Sequence, residues 1–401
     1  MKRLAALATT YFPASHADVI LSRWMAPIPG DATWGWERPR TRIASLYVAQ
    51  PRAVDARALP GGRPAPVGRR DRREEVDLAP YYAEASGVPL CPTIREALTL
   101  GGQTLAVDGV LLIGEHGDYP YNEFGQKLYP RKEVFDEVVA VFRDSGRGVP
   151  VFVDKHLSWN PDWADEMVAT AREMDFPLMA GSNLPLAGFA APVGGLEGAE
   201  VTGYVGLFYA GAEVYGFHSL EWMQSLIEHR AGGETGIAAL TALKGDAVWE
   251  ALEADPGTWE LFAAALDAAP LAAPGDVRAN LRPDPARPSD PVPTAFVLEF
   301  ADGLRATHVS LHGHLNSFAS ALRTRDDRVL TAAPRQGAKE DHYGHFAALN
   351  ARVEEMFLTG RPPIPIERTL LTTKTIAACM HALKTPGRRV ATPHLLGGYR
   401  A

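Results

Sequence analysis

The stretch Val149-Pro150-Val151-Phe152-Val153-Asp154-Lys155-His156-Leu157 is an apolar run that ends in three ionisable side chains. A short unbroken run of β-branched and aromatic residues reads as a strand buried on both faces, as strands of a parallel sheet are. In an open α/β sheet ligands bind outside the carboxyl ends of the strands, so Asp154, Lys155 and His156 are expected where chemistry is done. Asn160-Pro161-Asp162-Trp163 then offers an N-cap, a first-turn proline and an early acid for a helix. Trp163, Met167, Val168, Ala171 and Met174 mark its expected buried face. Phe176-Pro177-Leu178-Met179-Ala180-Gly181-Ser182-Asn183 is a second apolar strand with a polar end, and the whole is a β-α-β unit.

Upstream, Arg3 to Ala8 reads as a first strand and Ala17 to Trp24 as a helix burying Val19, Ile20 and Trp24. The turn between them is Thr9-Thr10-Tyr11-Phe12-Pro13-Ala14-Ser15-His16. A second strand, Arg42 to Ala49, ends in Gln50-Pro51-Arg52, and residues 58–75 are rich in Pro, Gly and Arg, the composition of a flexible excursion. Thr93-Ile94-Arg95-Glu96 is a capping box. Asp108 to Gly114 is a further buried strand, and it ends in Glu115-His116-Gly117-Asp118-Tyr119, a polar rim level with Asp154. Tyr121 to Pro130 has no period and reads as a lid, after which Val134, Phe135, Val138, Val139 and Phe142 define another helix.

After Pro185 the pattern changes to Gly-rich turns and short alternating segments around Val201 to Phe208, which places a domain boundary there. A helix starts near Glu213 and holds Gly216, His218 and Glu221. Residues 270–293 carry seven of the 32 prolines and read as a surface loop. Thr294 to Phe300 and Leu304 to His314 form an expected hairpin closed by Asp302-Gly303. Alternation puts His308, Ser310, His312 and His314 on one face, a polar face or a subunit contact, with a metal site as the alternative. His345 to Leu358 and Ile366 to Leu383 are the closing helices.

Together these segments resemble the Gfo/Idh/MocA family of oxidoreductases. Asp154-Lys155-His156 stands where that family has Glu-Lys-Pro, and Gly216, His218 and Glu221 match its D-x-G-x-H-x-x-D spacing. Val214 occupies the place of the leading acid, with Glu213 one residue early. The resemblance implies a Rossmann-like doubly wound parallel sheet domain over residues 1–186. An α+β domain with a large open, mainly antiparallel sheet is expected over 187–401, used for substrate and for a homo-oligomer. It implies NAD or NADP and a sugar, polyol or related hydroxy or keto compound, with Lys155, His218 and Asp154 catalytic. Glu115, His116, His156 and Asn183 are expected to face substrate, and Thr10, Ser15 and His16 the cofactor.

The departures matter as much. Ala8, Thr10 and Pro13 replace the glycines of G-x-G-x-x-G, which let a pyrophosphate approach the backbone at a helix N-terminus. No carboxylate follows the second strand until Asp55, while Arg52 offers a contact for a 2′-phosphate. A nicotinamide-free lyase, isomerase or hydrolase therefore stays open, with Glu115, His116, Asp154, His156 and His218 as a divalent-metal ligand set. So does a non-catalytic ligand-binding subunit.

Composition bounds the rest. The 401 residues suit two domains, and 46% apolar content is ordinary. A net charge of -8 argues against nucleic acid, and the Arg69-Arg70-Asp71-Arg72-Arg73 cluster is followed by Glu74-Glu75. Cys91 and Cys379, the two cysteines, give no disulfide framework. Leu4 to Ala8 is too short for a signal-peptide core, and no run of about 18 apolar residues offers a membrane span. A cytoplasmic enzyme is the expectation.

Overall fold

Strands β1 (Lys2–Ala8), β2 (Thr41–Val48), β5 (Gly109–Ile113), β6 (Val151–Asp154) and β7 (Leu178–Gly181) form a sheet in the order β2-β1-β5-β6-β7, with every pairing parallel. The two-residue strands β3 (Val54–Asp55) and β4 (Val76–Asp77) pair beside it. The computed structural model describes all residues except 59–73, 271, 285–287, 340 and 401. The basic cluster at 69–73 and most of the 58–75 excursion lie outside the described residues.

Both faces of this sheet are covered, which explains its unbroken apolar strands. On one face pack α3 (Ile94–Thr99), α4 (Arg131–Asp144) and α5 (Pro161–Glu173), through Ile94, Phe135, Phe142 and Met167. The caps are as the sequence offers them: Thr93 Oγ1 accepts from Glu96 N at 3.1 Å, and Asn160 Oδ1 from Asp162 N at 2.9 Å. The buried stripe of α5 is Ala164, Met167, Val168 and Ala171, whereas Trp163 and Met174, expected inside, are half-buried. The stripe begins one residue later than the aromatic suggests, because Trp163 packs edge-on against Trp159, ring centroids 4.9 Å apart.

On the other face lie α1 (His16–Met25) and α2 (Ala79–Ser86), joined by a helix from the far end of the chain. The second sheet contains β8 (Val201–Phe208), β9 (Ile237–Lys244), β10 (Thr294–Phe300), β11 (Arg305–Ser310), β12 (Ala319–Thr324), β13 (Val329–Ala332) and β14 (Arg389–Ala391). Its order is β13-β12-β8-β11-β10-β9-β14, antiparallel except between β8 and β11. Helix α6 (Val214–Ile227) packs on one face, and α7 (Asp246–Glu253) and α8 (Pro256–Asp267) cover part of the other through Trp249, Leu252, Leu261 and Phe262. His308, on the face expected as a polar face or subunit contact, turns toward Ser219 of α6, whereas Val309 and Leu311 on the opposite face pack with α7 and α8. After the single helical turn α9 (Val277–Asn280) come α10 (His345–Thr359) and α11 (Ile366–Ala382). Helix α10 is the one that returns: its Phe346, Leu349, Val353 and Phe357 join the core that contains Leu4, Ile20 and Leu46.

The expected histidine face breaks at the end of β11. The strand stops at Ser310, and Gly313 turns the chain at φ 93° so close to the Asn280 carbonyl that a Cβ would lie 2.4 Å from it. His308 is in the core, its Nδ1 2.7 Å from Ser219 Oγ. His312 Nδ1 accepts from Ala210 N at 3.2 Å and His314 Nδ1 from Asn280 Nδ2 at 3.1 Å. Among the described residues no helix is long and apolar enough to cross a membrane.

Candidate active site

The carboxyl ends of β5, β6 and β7 carry a connected set of buried polar groups. Lys155 leaves β6 in a left-handed conformation, φ 64°, and His116 leaves β5 at φ 68°. Such backbone costs a non-glycine residue on the order of 1–3 kcal/mol and persists only where its surroundings impose it. Lys155 O accepts from Gly181 N at 3.0 Å, which ties the turn to β7. The Lys155 ammonium then lies 3.1 Å from Glu115 Oε1, while Arg131, the first residue of α4, reaches Glu115 Oε2 at 2.6 Å. Arg131 Nη1 is 3.3 and 3.4 Å from the two ring nitrogens of His156.

These charges decide the protonation states. Burial alone raises a carboxyl, but Lys155 and Arg131, with His116 and His16, outweigh it and hold Glu115 well below the usual carboxylate range. Burial, reinforced by the Arg131 guanidinium, holds His156 well below the usual imidazole range, so its ring is neutral. His156 meets Phe217 edge-on, centroids 5.4 Å apart, and this brings the first sheet's rim against α6.

His218, next on α6, has Nδ1 2.6 Å from Ser182 Oγ, just beyond β7. Burial, then the charges of Lys155 and His16, keep His218 neutral. Ser182 N donates to Glu221 Oε2 at 3.2 Å and Thr372 Oγ1 to Glu221 Oε1 at 2.5 Å, so the acid one turn after His218 fixes the loop that holds it. Gly181, at φ 131°, admits this contact: a Cβ there would lie 2.7 Å from Glu221 Oε2. Asn183, expected at the substrate, is buried and opens a short 3-10 turn with its backbone.

Asp154 is not part of the lysine cluster. Its Oδ2 lies 2.6 Å from His16 Nδ1, and the His16 ring packs near His116 and Phe346. The alternative metal set is therefore distributed over separate partners: Glu115 holds Lys155 and Arg131, Asp154 holds His16, His156 meets Arg131, and His218 meets Ser182. Among the described residues no three His, Cys, Asp or Glu side chains are arranged to hold a metal ion.

The β1–α1 turn is closed upon itself. Ser15 caps α1, its Oγ accepting from Asp18 N at 3.3 Å and from Phe12 N at 3.2 Å. Asp18 Oδ2 accepts from Ala14 N at 2.8 Å, so the anion at the start of α1 is the chain's own carboxylate. Thr10 Oγ1 accepts from Arg52 Nε at 2.8 Å, and Arg52 also pairs with Asp118 at 2.8 Å. Tyr11 and Phe12 are buried, and Ala14 makes the tight turn at φ 62° without a glycine. Of the three residues expected at a cofactor, Thr10, Ser15 and His16, each has a partner within the protein. For a dinucleotide, the side chains here that would serve are Arg52 beside the β2 end and Lys155 at the β6 end, each already paired within the protein. The amides of Ala14, Ser15, His16 and Asp18 at the head of α1 are already engaged.

Tyr121 to Pro130 spans between the two sheets' rims. Asn122 Oδ1 accepts from the amides of Phe124 and Gln126 at 3.0 Å each, Gln126 Nε2 donates to Trp159 O at 3.0 Å, and Lys127 N donates to Glu213 Oε2 at 2.9 Å. Sequence reasoning missed Arg131 and Ser182, whose partners lie 16 and 36 positions away. It noted Glu213 only as an acid out of register.

No protein-family model and no curated protein matches the sequence. Among solved structures, GenD2 from gentamicin A biosynthesis in complex with NAD is similar at 15% identity and a TM-score of 0.57, covering 98% of this chain and 96% of that one. Myo-inositol 2-dehydrogenase from Lactobacillus plantarum is similar at 10% identity and TM-score 0.56, covering 97% and 99%. Aldose-aldose oxidoreductase from Caulobacter crescentus complexed with glycerol is similar at 14% identity and TM-score 0.51, covering 98% and 100%. The chain has the fold of these oxidoreductases along its whole length, the Gfo/Idh/MocA-type fold that the sequence resembles.

Proposed function

We propose that the chain is an oxidoreductase acting on a hydroxyl-bearing carbon, or the matching carbonyl, of a sugar or polyol bound between the rim of the parallel sheet and α6. The observation that carries this reading is the buried Lys155 ammonium, set on a left-handed turn at a strand end and held 3.1 Å from Glu115. Fold likeness to oxidoreductases whose names specify an inositol or aldoses supports the substrate class.

Lys155 would hydrogen-bond the reacting oxygen and stabilise negative charge on it. His218 is neutral, so with one ring nitrogen on Ser182 the other takes the proton of a substrate hydroxyl as hydride leaves the carbon, and the imidazolium so formed returns that proton to the carbonyl oxygen in the reverse direction. A serine hydroxyl both donates and accepts, so Ser182 supports either tautomer. Asp154 orients His16 rather than touching the reacting carbon. A nicotinamide dinucleotide, when bound, supplies the hydride acceptor or donor. Lys155 and His16 would border its nicotinamide end, with Arg52 and Thr10 toward its adenosine end.

A second reading, acid–base isomerisation or elimination without a dinucleotide, is favoured by one observation: Asp18 already occupies the amide of Ala14 at the head of α1. Calorimetric titration with NAD, NADH, NADP and NADPH separates the two, together with nicotinamide absorbance in the presence of inositols, alditols and hexoses. Micromolar binding with polyol-dependent reduction supports the first. Binding of none of the four, alongside conversion of a sugar detected by NMR, would establish the second in its place.

A further inference from the structure

Lys127 lies within the connection from Tyr121 to Pro130, half-buried, with its ammonium over two aromatic rings: 5.6 Å from the centroid of Tyr121 and 5.5 Å from that of Tyr129. Its backbone pairs with that of Tyr121, and its amide donates to Glu213 Oε2 at 2.9 Å, so the residue is anchored to the head of α6. Aromatic faces attract an ammonium without neutralising it, and among the described residues no carboxylate pairs with this one.

The Tyr129 ring also joins Lys127 to the buried cluster of the parallel sheet. On it lies the Arg131 guanidinium, 5.0 Å from the centroid, and Arg131 shares Glu115 with Lys155. Tyr121 is influenced by Glu213, Asp284 and Glu115, which places the connection over the same rim. Charge here does not balance. Three cations, Lys127, Arg131 and Lys155, meet two carboxylates, Glu115 and Glu213, and Asp284 is engaged by the Ala212 amide at 2.8 Å. Burial pushes Glu213 up to about 7, so near neutrality it supplies only part of its charge. Arg131 Nε is buried with no acceptor, which leaves the cluster short of an acceptor as well as of a charge. Lys155 and Arg131 are buried, whereas Lys127 is half-open to solvent, so a counter-charge arriving from outside meets Lys127 first.

We infer that the substrate is an acidic sugar, an aldonic or uronic acid, whose carboxylate is held by the Lys127 ammonium while its reacting hydroxyl lies at Lys155. The inference rests on the proposed sugar or polyol reading and names the substrate class of that site. A lysine is a compact point charge, and a rim short of one negative charge suits a carboxylate better than a phosphate dianion.

The test is isothermal titration of the full-length protein with matched pairs, glucitol against gluconate and galactose against galacturonate, in wild type, Lys127→Met and Lys127→Arg. The wild type should bind the acid of each pair about tenfold more tightly than its neutral partner. Lys127→Met, which keeps the length of the side chain but not its charge, should reduce the ratio to about twofold or less, and Lys127→Arg should restore it to within about threefold of wild type. Equal or tighter binding of the neutral partner by the wild type, or an undiminished ratio in Lys127→Met, overturns the inference and leaves the polyol reading intact. Tighter binding of a hexose phosphate than of either acid overturns the carboxylate assignment. If the wild type binds no member of either pair, the reading and the inference fail together. The wild-type comparison stands alone should neither variant fold.

Discussion

Two turns of one sheet, β1–α1 and β6–α5, have diverged in opposite senses. In β6–α5 the backbone is strained at Lys155, and the side chains of Lys155 and His156 converge with Glu115 and Arg131 from two other elements. In β1–α1 the amides and hydroxyls are satisfied locally, by Ser15 and Asp18 and by Arg52 on Thr10. The first turn gathers buried ionisable groups from several strand ends; the second satisfies its polar groups locally.

The comparison can be broken most severely at Lys155. Lys155→Met should lower turnover of the best polyol by about a thousandfold, within the range of a lost proton-transfer or charge-stabilising group. Retention of turnover within about tenfold would remove Lys155 from the chemistry. Glu115→Gln should cost about 3 kcal/mol or more in denaturant unfolding, because it leaves Lys155 and Arg131 buried without their shared counter-charge. A loss below about 1 kcal/mol would show the cluster to be solvated in solution.

Glu213 gives an intermediate effect with a defined sign. Its folded value is raised from 4.5 to about 7, so its contribution to stability is fully present below the unfolded value and is lost as pH rises through the folded one. Glu213→Gln should therefore gain on wild type by about 2–3 kcal/mol between about pH 5 and about pH 8, read from paired urea curves. A flat difference would mean that the carboxyl is not buried in solution. The smallest effect is expected in the other turn. Asp18→Asn should tighten NAD or NADP binding by about tenfold or less while costing about 1 kcal/mol of stability, since it removes a carboxylate from the head of α1. Unchanged or weaker nucleotide binding would show that Asp18 does not compete with phosphate.

Much of this architecture was legible in the sequence because local rules and the global fold agree there. Unbroken apolar strands, the Thr93 and Asn160 caps and the polar strand ends all mark the parallel sheet, and they placed Asp154, Lys155 and His156 on its rim. What stayed hidden depends on pairings across the chain. Nothing local links Arg131 to Glu115, or Ser182 to His218, and alternation through Leu311 to His314 is broken by a turn at Gly313 that no strand pattern reveals. His16 and Asp154, read as belonging to the cofactor site and to catalysis respectively, are partners of each other.

The return of α10 to the first sheet has a consequence for how the molecule is made. Glu354 Oε1 accepts from Arg40 N, Thr41 N and Thr41 Oγ1, Asn350 Nδ2 donates to Ile20 O, and Lys2 Nζ donates to Phe357 O, so the last helices close a layer begun by the first strand. On the ribosome, the amino-terminal sheet emerges with α1 and α2, while Leu4, Ile20 and Ile43 lack the part of their cover that α10 brings until residue 357 has been delivered. Vectorial synthesis, which lets many two-part proteins complete their leading half early, here must keep part of an apolar face waiting until α10 has been made.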